Sequence, residues 1–360
     1  MDEHYAWLAF SLLPGMNWQK LQLVLKHFPD LKTAWEKAGE TAFEQMGLCS
    51  DLAQQLIRAR EEKLWEKVVL ELGKLNLGFV AYPDEDYPLM LREIAGPPLV
   101  LYFWGGLKEE PAFNVALIGS RRPTAYGLRV VGEIAKTLAQ SQVGIVSGLA
   151  YGIDSEAHRI ALENKGKLVG VIGSGLDRGS FYPQSNYRLA EKIVGNGGVI
   201  FSEYPPGTPA LPQNFPARNR IIAGMVSAVV VIEAGEKSGA LITAFLALEE
   251  GREVFAVPGR ITDSNSMGTN RLIKMGAAPL LSPLDLLDHL GIPAATSPRT
   301  HLAVDEMEER ILNFLAEEAR HIDEVVQGLS LDAKEALSKL TLMELRGLVR
   351  SRPGGFYTKA

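Results

Sequence analysis

Val115-Ala116-Leu117-Ile118-Gly119-Ser120-Arg121-Arg122-Pro123-Thr124-Ala125-Tyr126-Gly127 is the stretch on which the fold turns. Val115–Ile118 is a short apolar run without alternation, the mark of a strand buried on both faces. From Tyr126 onward, Leu128, Val131, Ile134, Ala135 and Leu138 recur at helical spacing. Between the two lies a turn with one glycine, two arginines and Thr124, whose side chain suits a helix N-cap. In an open parallel sheet such a turn sits at the carboxyl end of its strand, where free helix N–H groups favour anions. Arg121 and Arg122 add full positive charge there. The turn is not Gly-x-Gly-x-x-Gly, and no acidic residue ends the next strand to take a ribose, so a dinucleotide fingerprint is missing.

Working outward, the pattern repeats. Gly144–Val146 leads into Ser147-Gly148-Leu149-Ala150-Tyr151-Gly152-Ile153-Asp154 and a helix containing His158. Val169–Ile172 leads into Gly173-Ser174-Gly175-Leu176-Asp177-Arg178, and Val199–Phe201 into Ser202-Glu203-Tyr204-Pro205-Pro206-Gly207. Val229–Glu233 runs into Ala234–Ala240, and Val254–Val257 into Pro258-Gly259-Arg260. Side by side, such turns form a long donor-lined rim. A second arginine cluster, Phe215-Pro216-Ala217-Arg218-Asn219-Arg220, opens a helix just ahead of the apolar run Ala228–Ile232. Guanidinium forks match phosphate oxygens, and aromatic or guanidinium faces stack on bases. The competing reading makes both arginines structural ion pairs.

Residues 76–290 resemble the DNA-processing protein DprA (Smf) family. The likeness rests on Tyr82-Pro83, Asp86-Tyr87-Pro88, Pro97-Pro98-Leu99, Gly119-Ser120-Arg121, Ser147–Asp154 with Ala157-His158, Gly173–Asp177, Ser202–Gly207, Phe215–Gly224, Ser238–Ala244 and Val254–Gly259, all in order. It implies an α/β protein with a Rossmann-like, doubly wound, mostly parallel sheet that binds single-stranded DNA. Such proteins protect incoming strands during natural transformation and load a RecA-type recombinase onto them. On this reading Arg121, Arg122, Arg178, Arg218 and Arg220 neutralise phosphates, with Lys237 a further candidate. Gly119, Ser120, Thr124, Ser238 and Gly239 complete the site with backbone or hydroxyl donors. Phe215 stacks on a base, and Asn219 either bonds a base edge or fixes the loop. The resemblance also implies a homodimer through Leu272–Leu290.

Composition bounds the alternatives. The 360-residue chain carries a net charge of −6, which at first argues against a nucleic-acid partner. The charge divides unevenly: −6 over residues 1–111, +2 over 112–290 and −2 over 291–360. DNA binding would therefore rest on a local groove rather than a global field. Asp2 and Glu3 stand where a signal peptide is basic, and no apolar run reaches a membrane span, so a cytoplasmic protein is expected. Cys49, the only cysteine, excludes an intrachain disulfide and a thiolate metal cluster; it is expected to pack in a helix. No cofactor or metal is expected.

Residues 1–75 read as a helical domain, either helix-hairpin-helix (Leu13-Pro14-Gly15-Met16) or sterile-alpha-motif-like. Residues 76–111 lead into the core, with Leu99–Trp104 as an added strand. Residues 291–303 read as a linker. Residues 304–360 show three helices and a hairpin, the winged-helix pattern; the charge balance of its third helix favours an interaction role over duplex reading.

The enzymatic alternative is a nucleotide-binding phosphoribohydrolase. Its Pro-Gly-Gly-x-Gly-Thr-x-x-Glu turn is not reproduced in Glu233–Ala244, and neither a P-loop nor a Gly-x-Ser-x-Gly elbow occurs. Glu203 and Glu233, at strand ends, read either as an acid–base pair or as anchors for neighbouring arginines. A binding protein is the expectation.

Overall fold

Short polar caps punctuate the first 75 residues into helices. In the computed structural model, which describes residues 1–107, 113–292, 306–315, 319–345, 348–352 and 354–359, α1 spans Glu3–Ser11, α2 Trp18–His27, α3 Leu31–Lys37, α4 Glu40–Gln45, α5 Ser50–Glu61 and α6 Leu64–Leu75. The side chains of Asp2, Asn17 and Asp30 accept from Tyr5 N, Lys20 N and Thr33 N, each satisfying a donor that a helix start leaves open. Cys49 departs from expectation. It is exposed at the N-cap of α5, because the helix begins one residue later and Leu48 takes the buried position.

The sheet follows: β1 Gly78–Ala81, β2 Val100–Gly105, β3 Asn114–Ile118, α7 Ala125–Gln140, β4 Gly144–Ser147, α8 Ile153–Glu163, β5 Leu168–Ile172, α9 Tyr187–Gly195, β6 Val199–Ser202, α10 Asn214–Gly224, β7 Ala228–Val231, α11 Gly239–Glu249, β8 Glu253–Ala256, α12 Met267–Lys274, β9 Ala278–Pro279 and α13 Pro283–His289. Its strand order is β1-β2-β6-β5-β4-β3-β7-β8-β9. Every neighbouring pair from β6 to β9 is parallel. β1 and β2 extend the β6 edge antiparallel, so Leu99–Trp104 is an added strand, one residue displaced. The central strands are buried along their whole length, as their unbroken apolar runs require. From β3 the chain winds outward through β4, β5 and β6, then returns to β7 on the other side of β3. The topological switch therefore lies between β3 and β7, where doubly wound sheets open a crevice.

Helices on both faces close two cores. One contains Ala116, Ile118, Val146, Val229 and Val231 with Ile221, Ile222 and Ala244. The other runs without a break from Trp7, Phe10 and Leu56 into Tyr102, Val115, Leu117 and Val230. The helices of residues 1–75 thus share a core with the sheet. Trp7 and Trp18 meet Tyr82 at ring-centroid distances of 5.6 and 4.4 Å. Met1–Ala295 forms one compact unit and Thr296–Ala360 another.

In the second unit α14 spans Glu306–Phe314, β10 Arg320–His321, α15 Ile322–Leu329, α16 Ala333–Leu345, β11 Val349–Arg352 and β12 Phe356–Lys359. Ile311, Val325, Leu340, Met343, Val349 and Tyr357 form its core. The expected helices and hairpin make a winged helix. β10 was not foreseen: two residues add a third strand beside β12. The linker expected at 291–303 lies, from residue 293, outside the described residues. Among the described residues no helix is long and apolar enough to cross a membrane.

Candidate nucleic-acid interface

The turn after β3 is held from across the switch point. Thr124 caps α7 as its sequence position predicts, its Oγ1 accepting from Gly127 N at 3.2 Å. Thr124 N donates to Glu233 Oε2 at 2.9 Å, and its hydroxyl donates to Oε1. Glu233 is buried. A Cβ on Gly127 would stand 2.5 Å from the Glu233 carboxylate, so only glycine allows this approach. Glu233 therefore anchors neither an arginine nor a catalytic pair with Glu203; it is a buried carboxyl group held by donors at the start of α7. Thr124 is correspondingly committed inward rather than offered as a DNA donor.

Arg218 also departs from expectation. It is 5% exposed, and its Nη1 donates to Gly148 O at 2.8 Å and to Val171 O. One side chain from α10 thus ties the carboxyl ends of β4 and β5. Asp154, buried beside it, accepts from Gly148 N at 3.1 Å. Burial pushes the Arg218 guanidinium down to about 10, against the opposing pull of Asp154. Burial likewise raises the Asp154 carboxyl, against the pull of Arg218. Both shifts run toward neutrality, so desolvation outweighs mutual attraction. Arg218 is a structural pin. Arg220 is engaged too, through Glu203 Oε2 at 2.6 Å and Gly96 O at 2.7 Å; here the anchor reading of Glu203 describes the structure.

The exposed groups lie outside these pins. The Arg121 guanidinium carbon stands 5.7 Å from the centre of the Phe215 ring, and Tyr182 meets Phe215 at 5.6 Å. Tyr151, Tyr182 and Pro183 complete a small pocket with these residues, which Arg218 also lines. Tyr151 and Tyr182 are 44% and 40% exposed. Neither was singled out from the sequence, although aromatic residues inside glycine-rich turns at strand ends were a usable signal. Arg178 is exposed and lies 5.6 Å over Tyr187. Among the described residues neither Arg121 nor Arg178 is recorded in an ion pair.

The other selected residues divide between the two sides. Ser120 Oγ accepts from Arg122 N at 3.1 Å, Gly119 packs on Ile153 and Glu233, and Arg122 projects into solvent. Across the switch point Ser238 caps α11, and Asn219 Nδ2 donates to Gly239 O at 3.5 Å, which favours loop fixing over base reading. Lys237 is exposed. His158 donates through Nε2 to Val169 O at 3.2 Å and is buried.

Comparison with known proteins agrees with this architecture. A family model described as DNA recombination-mediator protein A matches residues 78–291, and one for the DprA winged helix domain matches 293–355. Protein Smf of Synechocystis is 34% identical over 398 aligned residues, covering 99% of each chain. The solved structure of DNA processing protein A from Streptococcus pneumoniae is 35% identical with a TM-score of 0.68, over 80% of this chain and 98% of that one. That from Helicobacter pylori, described for its single-stranded DNA binding mode, is 30% identical with a TM-score of 0.53, over 59% and 95%. A parallel core followed in the chain by a winged helix, matched by both models and by a full-length relative, places the chain in the DprA (Smf) family.

Proposed function

We propose that this chain is a single-stranded DNA-binding protein whose strand lies along the carboxyl edge of the sheet. The observation that carries the reading is the half-buried Phe215 ring between exposed Arg121 and exposed Tyr182. A guanidinium without a carboxylate partner among the described residues, held over an aromatic ring, takes a phosphate while the rings take bases. Arg122, Arg178 and Lys237 add charge along the edge, and Gly119 and Ser120 shape the turn. Arg218 and Arg220 hold the rim rather than touch the strand. The single-stranded DNA binding described for the Helicobacter pylori relative supports the same reading. Protection of incoming strands in natural transformation and delivery to a RecA-type recombinase follow as the expected role. A homodimer through residues 272–290 is supported by Met275, Leu281 and Leu284, which are exposed while Leu272, Leu280, Leu286 and Leu287 are core.

The phosphoribohydrolase reading is not favoured, because Glu233 already occupies the α7 N-terminus at the crevice where a nucleotide phosphate would sit. One titration tests the proposal. Fluorescent poly-dT should bind far more tightly than duplex DNA or a nucleoside monophosphate; equal affinity for all three would sink it.

A further inference from the structure

Across the switch point from the Arg121–Phe215 pocket, the loop after β8 stands at the same carboxyl edge and carries Ile261, 91% exposed. A lone exposed apolar side chain is ordinary, but this one is held out by a braced loop. Gly259 N donates to Asn270 Oδ1 at 3.2 Å, and Asn270 Nδ2 donates back to Gly259 O at 3.0 Å. Asp263 N donates to Arg260 O at 3.0 Å, closing a turn with Ile261 inside it. The loop is then tied to the other rim turns. Asn265 Nδ2 donates to Arg122 O at 2.9 Å, and the Tyr126 hydroxyl donates to Pro258 O at 3.0 Å. Tyr126 is itself 44% exposed, and Arg122 and Arg260 are exposed and recorded in no ion pair among the described residues.

A projecting apolar tip, a half-exposed aromatic ring and two guanidiniums with no ion pair among the described residues, on mutually braced loops, suit a polynucleotide better than a protein face, which would need a contiguous apolar patch. We propose that this loop is a second single-strand contact, in which Ile261 wedges against a base, Tyr126 offers its ring to the next, and Arg122 and Arg260 take the flanking phosphates. The inference rests on the single-strand reading above and lengthens the footprint from the ends of β4 and β5 across β3 and β7 to β8. A wedge and phosphate clamps add affinity without sequence preference.

Anisotropy titrations of the full chain with oligo-dT of about 6 and about 20 nucleotides separate the two contacts. Ile261→Ala and Arg260→Ala should each weaken the longer oligonucleotide roughly three- to tenfold and leave the shorter one unchanged, whereas Arg121→Ala weakens both. Arg260→Ala should also flatten the double-logarithmic salt slope for the longer strand by about 0.7. Both loop residues are exposed, so unchanged melting temperatures should show that the variants are folded. Wild-type affinity of both variants for the longer strand overturns the inference. So do equal losses at both lengths, or an Ile261→Ala change in sedimenting mass without a change in DNA affinity. If the unaltered chain binds neither length, it is the single-strand reading itself that fails.

Discussion

Arg218 and Asp154 are buried together at the carboxyl edge, where Arg218 also holds the carbonyls of Gly148 and Val171. Arg218→Ala should cost about 2–6 kcal/mol through the two freed carbonyls, read as a lower urea midpoint; an unchanged midpoint would show that those carbonyls find other partners. Gly148 shares the constraint, since a Cβ there would stand 2.3 Å from Arg218 Nη1. His158 gives a pH prediction. Burial holds it at about 4 against an ordinary 6.5. Between those values the unfolded chain binds a proton that the native state refuses, so stability falls as pH is lowered through that window, by on the order of 3 kcal/mol. His158→Gln keeps a donor for Val169 O and should remove that slope, measured as urea midpoints at neutral and acid pH.

Individual elements were legible where local chemistry is decisive. Buried strands have unbroken apolar runs, α7 has its spacing and its Thr124 cap, and the glycine-rich turns mark where strands end. The destinations of charged side chains were not legible. Arg218 reaches Gly148 and Val171, and Glu233 reaches Thr124, across separations of 47 to 109 residues. No local pattern encodes which strand ends α10 will cross. Two arginines in the same helical turn therefore looked alike in sequence, yet one is a buried pin and the other a carboxylate partner. The rim of β3 and α10 carries its own test. Phe215→Ala should weaken oligo-dT binding by about 1–3 kcal/mol without creating sequence preference. Arg121→Ala should lower the salt slope by about 0.7; an unaltered slope would remove Arg121 from the phosphate contacts.

For the molecule as a whole, the proposed function turns on how charge is distributed rather than on its net value. A chain at −6 has no attractive field at long range, so the proposed binding of a polyanion must rest on contacts made at short distance. Raising salt from about 50 to about 200 mM should then depress binding steeply, and a flat response would argue that phosphates are not the main contact.

The continuous packing of Trp7 and Trp18 onto Tyr82 has a practical corollary for anyone trimming this protein. A fragment starting at residue 76 would carry a bare greasy flank of Phe79, Tyr82 and Tyr102, and should clump on expression rather than behave as a free-standing module.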